Sequence, residues 1–193
     1  MTYSLVWFKR DLRLHDHVAL VEAATHGPVL CLYVIEPSVW AQPDGARQHY
    51  EIILESLREL ARALKNLGGR LHVRSGEVAE VLTQLHALSP FARIYSHEEI
   101  GNAITFERDK AVALWCRAQG VVWQEFPQFG VVRRLKSCNH WQSYWAAQRR
   151  QAGVQSTHRH GLSSIGQNAA GRGGRAASPG RAHPPAVGDA LTS

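Results

Sequence analysis

Two hydrophobic rhythms alternate along the chain. Short runs rich in Val, Leu, Ile and aromatic residues predict strands at Tyr3–Phe8, Val29–Ile35, Arg70–Arg74, Ala92–Ser96 and Val121–Glu125. Between them, apolar residues spaced three and four apart predict helices at Asp16–Thr25, Ala46–Asn66, Glu77–Ala87 and Ala103–Gln119. The second helix is the clearest, with Ile53, Leu57, Leu60, Leu64 and Leu67 on one face and Gly68-Gly69 as its C-terminal stop. Gly76 and Gly120 mark tight junctions after the third strand and before the fifth. Strict strand–helix alternation argues a parallel sheet covered on both faces.

The first strand ends abruptly. Lys9-Arg10-Asp11-Leu12-Arg13 follows the apolar run, and Asp16 is expected to cap the helix that carries Leu20, Val21 and Ala24. In open α/β sheets ligands bind outside the carboxyl ends of the strands, which is where Lys9 to Asp16 would lie.

These residues are more specific than the pattern. The stretch from Trp7 to Leu20 resembles the opening of the DNA photolyase/cryptochrome family, Trp-Phe-Arg-x-Asp-Leu-Arg-x-x-Asp-Asn-x-Ala-Leu. It departs from that opening at Lys9, where Arg is usual, and at His17 and Val18, where Asn and Pro are usual. Arg47-Gln48-His49-Tyr50 through Leu60, with Gly69, Leu71 and Gly76, resembles the family's second helix and third strand. Phe106-Glu107-Arg108-Asp109, with Gly120-Val121, resembles its Arg-Asp helix and following strand. Gly130 to Lys136, with Trp141 and Trp145, resembles the start of the linker to its flavin domain. The resemblance covers roughly residues 3–150. It implies a three-layer αβα Rossmann-like domain with a five-stranded parallel sheet in order 3-2-1-4-5.

Composition divides the chain further. Every Trp, Tyr and Phe lies before residue 151, and residues 151–193 hold 8 Gly, 8 Ala, 3 Pro and no Lys. Such a tract buries too little apolar surface to offset its entropy, so it is expected to be a disordered tail. The expected organisation is an α/β domain at 1–130, a linker with a helical aromatic segment at 131–150, and the tail. Trp141, Tyr144 and Trp145 are expected to have packed that linker against a missing domain.

The net charge of +6 shrinks on division. Residues 1–150 carry 18 Lys and Arg against 15 Asp and Glu, and the tail supplies four Arg against Asp189. A mildly basic folded part does not argue for a DNA-binding surface. Cys31, Cys116 and Cys138 have no metal or redox spacing, which fits a reducing cytoplasm. No apolar stretch is long enough to span a bilayer. A dinucleotide Gly motif, a P-loop and a nucleophile elbow are all missing, so no catalytic residue is assigned. No metal ligand is assigned either, because His15 and His17 lie at a helix start without evident partners.

In the family, FAD, the light-driven repair of pyrimidine dimers and most DNA contacts belong to a helical domain without a match in this sequence. The resemblance therefore implies an N-terminal antenna domain, truncated and without lyase activity alone. Its partner would be a second chromophore: a folate, a deazaflavin or FMN. The expected contacts are Lys9, Arg10 and Asp11 after strand one and His97, Glu98 and Glu99 after strand four, where the strand order reverses. Cations there suit a phosphate or glutamate tail, and carboxylates suit ring N–H groups. Against this stands an ion-pair network closing the sheet edge, the favoured reading for Asp11 and Arg13. Arg108 and Asp109 are expected to pair with neighbouring loops. Two alternatives remain: a stand-alone small-molecule or nucleotide-binding module of the same fold, and an inert gene fragment.

Overall fold

The computed structural model describes residues 3–42 and 47–128. The expected linker with Trp141, Tyr144 and Trp145, the segment Gly130 to Lys136, Cys138 and the 151–193 tail lie outside the described residues. In chain order the elements are β1 (Ser4–Phe8), α1 (Val18–Thr25), β2 (Val29–Ile35), α2 (Pro37–Trp40), α3 (Arg47–Asn66), β3 (Leu71–Ser75), α4 (Val78–Leu88), β4 (Arg93–His97), α5 (Ala103–Gln119) and β5 (Val122–Phe126).

The five strands form one sheet in the order β3-β2-β1-β4-β5, and every pairing is parallel. β1 is central and all five of its residues are buried. Alternate side chains serve opposite faces. Leu5 and Trp7, with Leu32, Val34 and Ile94, pack against Val81, Leu82 and Leu85 of α4 and Val112 and Cys116 of α5. Val6 and Phe8, with Cys31, Tyr33 and Tyr95, pack against Ala19, Leu20 and Ala23 of α1 and Leu57, Leu60 and Leu64 of α3. Two cores, one on each side of the sheet, make the three layers. Among the described residues no helix is long and apolar enough to cross a membrane.

The structure moves several expected boundaries. β3, β4 and β5 each start and end one residue later than the apolar runs suggest. Residues after each run keep the ladder: Ser75 pairs with Ile35, and His97 with Phe126. The four-residue α2 has no hydrophobic period to betray it. Glu36 and Pro37 start it, the Glu36 carbonyl accepting from Val39 and Trp40 N–H.

Asp16 does not cap α1. It sits at a positive φ of 52°, turning the chain one residue before the cap. His17 takes the role instead, its Nδ1 accepting the Leu20 N–H at 3.0 Å. α3 ends at Asn66 and the chain turns away at Gly68, in the left-handed region at φ 84°, with Gly69 N–H donating back to Leu64 O at 2.9 Å.

Candidate functional site

β1 ends at Phe8, and the turn that follows sends Lys9 and Asp11 into two different clusters. Lys9 has a buried side chain, with Nζ 2.9 Å from Glu125 Oε1 and 3.3 Å from Asp109 Oδ2. It also lies 4.4 Å from the centroid of the Trp7 ring, on the α5 side of the sheet. A buried ammonium is tolerated only with such paired carboxylates.

From Lys9 an ion-pair chain crosses the carboxyl end of the sheet. Arg108 Nη2 contacts Asp109 Oδ1 at 2.9 Å and Glu99 Oε2 at 2.6 Å, while its Nη1 contacts Glu36 Oε1 at 3.0 Å. Glu99 Oε1 then meets Arg10 Nε at 2.9 Å. Arg108 and Asp109 thus pair with residues outside their helix, as expected. Burial lowers the Arg108 pKa, but its three carboxylate neighbours more than reverse this and hold the guanidinium firmly charged. Burial pushes the Glu36 carboxyl up to about 7, against the pull of Arg108 and with the repulsion of Glu77 and Glu99 added.

Above this chain lies a cavity of about 380 Å³, within the size range of small-molecule sites. Trp7 to Arg10 and Tyr33 form the strand side, at the carboxyl ends of β1 and β2. Trp40 from α2, His49 and Ile53 from α3, and Asn102 and Arg108 from α5 with its cap close the rest. Glu36 and Glu99 supply its carboxylates.

Asp11 belongs elsewhere. It and His97, which follows Tyr95 by two positions on β4, lie on the α1 face with His17, beneath Phe8. Asp11 Oδ1 accepts the Lys9 N–H at 2.8 Å and Oδ2 accepts His97 Nδ1–H at 2.6 Å. His17 Nε2 lies 2.9 Å from the same oxygen. Burial alone would raise the Asp11 pKa, but the contacts with His17 and His97 hold it well below the usual carboxylate range. Burial lowers the pKa of His17, against the pull of Asp11.

The three side chains place ligand-type atoms within 4.8 Å of one another, so His17 does have partners that its position in the sequence conceals. The cap bond nonetheless speaks against a metal. Because His17 Nδ1 accepts a backbone N–H, the neutral ring carries its proton on Nε2, the atom a metal would need. Metal-bound histidines normally donate from their second nitrogen.

Of the six expected contact residues, Lys9, Arg10 and Glu99 line the cavity. Asp11 and His97 sit in the buried cluster, and the Glu98 N–H donates to Phe126 O at 2.8 Å. His97 ends β4 rather than starting a loop, and Ser96 Oγ accepts from Trp123 Nε1 at 3.0 Å. Arg13 donates to the carbonyls of His15 and Asp16. Beside the expected Lys9, Arg10 and Glu99, the cavity is lined from β2 and α2. Glu36, Tyr33 and Trp40 were therefore missed. Glu36, a charged residue directly after an apolar run, carried the same signal as Lys9-Arg10.

Known proteins resemble this chain. The family model for DNA photolyase matches residues 4–167, past the boundary expected at 150. A cryptochrome DASH of Gloeobacter violaceus is 34% identical over 117 residues, which is 57% of this chain and 23% of the relative. A deoxyribodipyrimidine photo-lyase of Thermus thermophilus is 39% identical over 101 residues, 50% of this chain and 23% of its own. The chain thus spans under a quarter of the length of these relatives. A class III photolyase structure from Agrobacterium tumefaciens superposes with a TM-score of 0.69 at 26% identity, covering 84% of this chain and 35% of that one. A photolyase from Sulfolobus tokodaii, solved with two FAD molecules, shares the fold at a TM-score of 0.68 and 21% identity, over 83% of this chain and 38% of its own.

Proposed function

Because the chain belongs to the DNA photolyase family, we propose that its α/β fold is a light-harvesting layer whose cavity over β1 and β2 holds an antenna chromophore. The candidates are a folate, a deazaflavin and FMN. The observation that carries this reading is the cavity itself: aromatic walls, two carboxylates and a guanidinium converge at the carboxyl end of the sheet.

The residues fit such a group. Arg10 has a side chain 63% exposed and stands at the mouth, where it would take a phosphate or glutamate tail. Tyr33 and Trp40 offer flat apolar surface to a ring. Glu36 offers a carboxylate to ring N–H groups, while Glu99 is held by Arg10 and Arg108. The chemistry such a group supplies is light absorption and dipole-coupled energy transfer, which asks the protein for position and dryness rather than catalytic groups. Lys9, Arg108 and Asp109 set that position by fixing the floor.

FAD and DNA are not assigned to the described residues. Lys9 and Arg108, the buried cations at this end of the sheet, are committed to carboxylates, which leaves them unsuited to phosphate neutralisation.

Titrating the chain with FMN, a 5-deazaflavin and a reduced folate, while following ligand fluorescence, tests the reading. Binding of at least one is expected, weakened about tenfold by Arg10→Ala. Failure of all three would favour the inert fragment, and binding untouched by Arg10→Ala together with Trp40→Ala would move the site elsewhere.

A further inference from the structure

One part of the sheet has no layer over it. Val122 is 60% exposed and Gln124 is exposed too. Alternation places both on the face that carries Phe126, which packs on the α1 side of the sheet. Tyr95 and Phe126, stacked with ring centroids 6.4 Å apart, continue this face onto β4.

The topology leaves it open. α1 and α3 join strands that advance from β1 toward β3, and right-handed crossovers set both helices on one face. α4 and α5 return toward β5 on the other. β5 is the last strand of the sheet, so among the described residues no crossover helix lies over it on the α1 side. α1 reaches only as far as β4, where the His26 and Tyr95 rings lie 5.9 Å apart. An exposed apolar strand face at a sheet edge invites a cover.

The chain itself carries one within reach. β5 ends at Phe126, and Pro127, with no N–H to give, stops the ladder. Beyond the described residues, Trp141, Tyr144 and Trp145 stand three and four positions apart, the spacing of one helix face. Ala146-Ala147-Gln148-Arg149-Arg150, all good helix formers, follow them. The 12 residues from Phe129 to His140 extend to about 40 Å. A five-stranded sheet is roughly 20 Å wide, so the segment reaches any point of this face. The DNA photolyase family model also continues through it, to residue 167. Each Trp or Tyr buries about 150–250 Å², enough for three of them to cover β5.

We propose that residues 141–150 of this chain form a helix across the α1-side face of β5, seating Trp141, Tyr144 and Trp145 on Val122 and Phe126. The segment then completes the layers of its own domain, in place of the missing domain that its aromatics were expected to pack against. The proposal does not rest on the antenna reading, because neither Val122 nor Phe126 lines the cavity.

The test uses the full chain carrying Val122→Cys and Cys138→Ser, in which Cys31 and Cys116 are buried. A maleimide, with the labelled site identified by mass spectrometry, measures exposure at position 122. Labelling is expected to be at least about tenfold slower than in the same chain with Trp141→Ala, Tyr144→Ala and Trp145→Ala added, and independent of protein concentration. Circular dichroism checks that the alanine chain is folded. Hydrogen exchange over residues 141–150 probes the contact from the other side, and decides the matter if the alanine chain does not fold. Protection is expected in the unsubstituted chain and is lost in Val122→Asp. Equal labelling with and without the aromatics, or exchange untouched by Val122→Asp, overturns the proposal. Slow labelling that appears only as concentration rises, with a dimer in analytical ultracentrifugation, overturns it as well and gives the face to a second copy.

Discussion

Glu36 and Lys9 show how the sheet end holds charge without water. Lys9 meets two carboxylates and the faces of Trp7 and Trp123, so its ammonium is both paired and stacked. Glu36 shares Arg108 with Glu99 and Asp109, and its other oxygen has no hydrogen-bond partner among the described residues. Its pKa, raised from 4.5 to about 7 mainly by burial, means the fold favours the neutral carboxyl. That contribution to stability is fully present below about pH 4.5 and is lost as pH rises through about 7. A gap of this size corresponds to roughly 3 kcal/mol. Glu36→Gln cannot ionise, so its stability relative to the parent is expected to improve by that order between about pH 5 and about pH 8. Urea denaturation at the two pH values measures it, and a pH-independent difference would contradict the burial argument.

At the scale of elements, α1 depends on one histidine. His17 Nδ1 caps the helix and Nε2 lies against Asp11, which also gathers His97 and the Lys9 N–H. One ring therefore ties the loop after β1 to the start of α1 and the end of β4. Removing a cap costs about 1 kcal/mol, and leaving a buried group short of a partner adds about 1–3 kcal/mol. His17→Ala is expected to lower stability by roughly 2–4 kcal/mol on that sum. His17→Asn, whose side chain also accepts a backbone N–H, is expected to recover about 1 kcal/mol of it. Equilibrium denaturation of both variants decides the point: equal losses would mean that the cap bond contributes nothing. α5 ends more simply. Gly120 at φ 68° takes the left-handed turn, and Val121 N–H closes on Cys116 O at 2.9 Å.

For the whole molecule, a ligand held in the cavity would be coupled to the fold. Its lining comes from β1, β2, α2, α3 and α5, so a ligand that binds there touches both faces of the sheet at once. Anything bound only by the native state stabilises it by mass action, about 2.7 kcal/mol at a hundredfold excess over Kd. The thermal midpoint is therefore expected to rise with the concentration of whichever antenna ligand binds, and this rise should fall with Arg10→Ala. A scan of midpoint against ligand concentration measures it. A midpoint unmoved by a ligand that fluorescence shows to be bound would place that ligand on the unfolded chain as well.

The order of apolar runs was enough to determine the fold class: five strands, parallel pairing and helices on both faces follow from buried runs alternating with amphipathic ones, whereas the central place of β1 was only implied by the family resemblance. Gly68 and Gly120 were legible too, because only a residue without a Cβ takes those turns at no cost. The Trp7–Leu20 string pointed to the family at once. What the linear order could not show was which polar residues meet. His17 and His97 are eighty positions apart in the chain and their ring centroids 4.4 Å apart in space. Asp16 looked like a cap because a carboxylate before a helix usually is one; a positive φ moved the role to its neighbour. Glu36, just past the expected strand Val29–Ile35, drew no reading, and Asp11 and Lys9, two positions apart, went to different clusters with different partners. Periodicity reports which face a residue takes. Partnership across the sheet is set by register and strand order, and those exist only once the chain has folded.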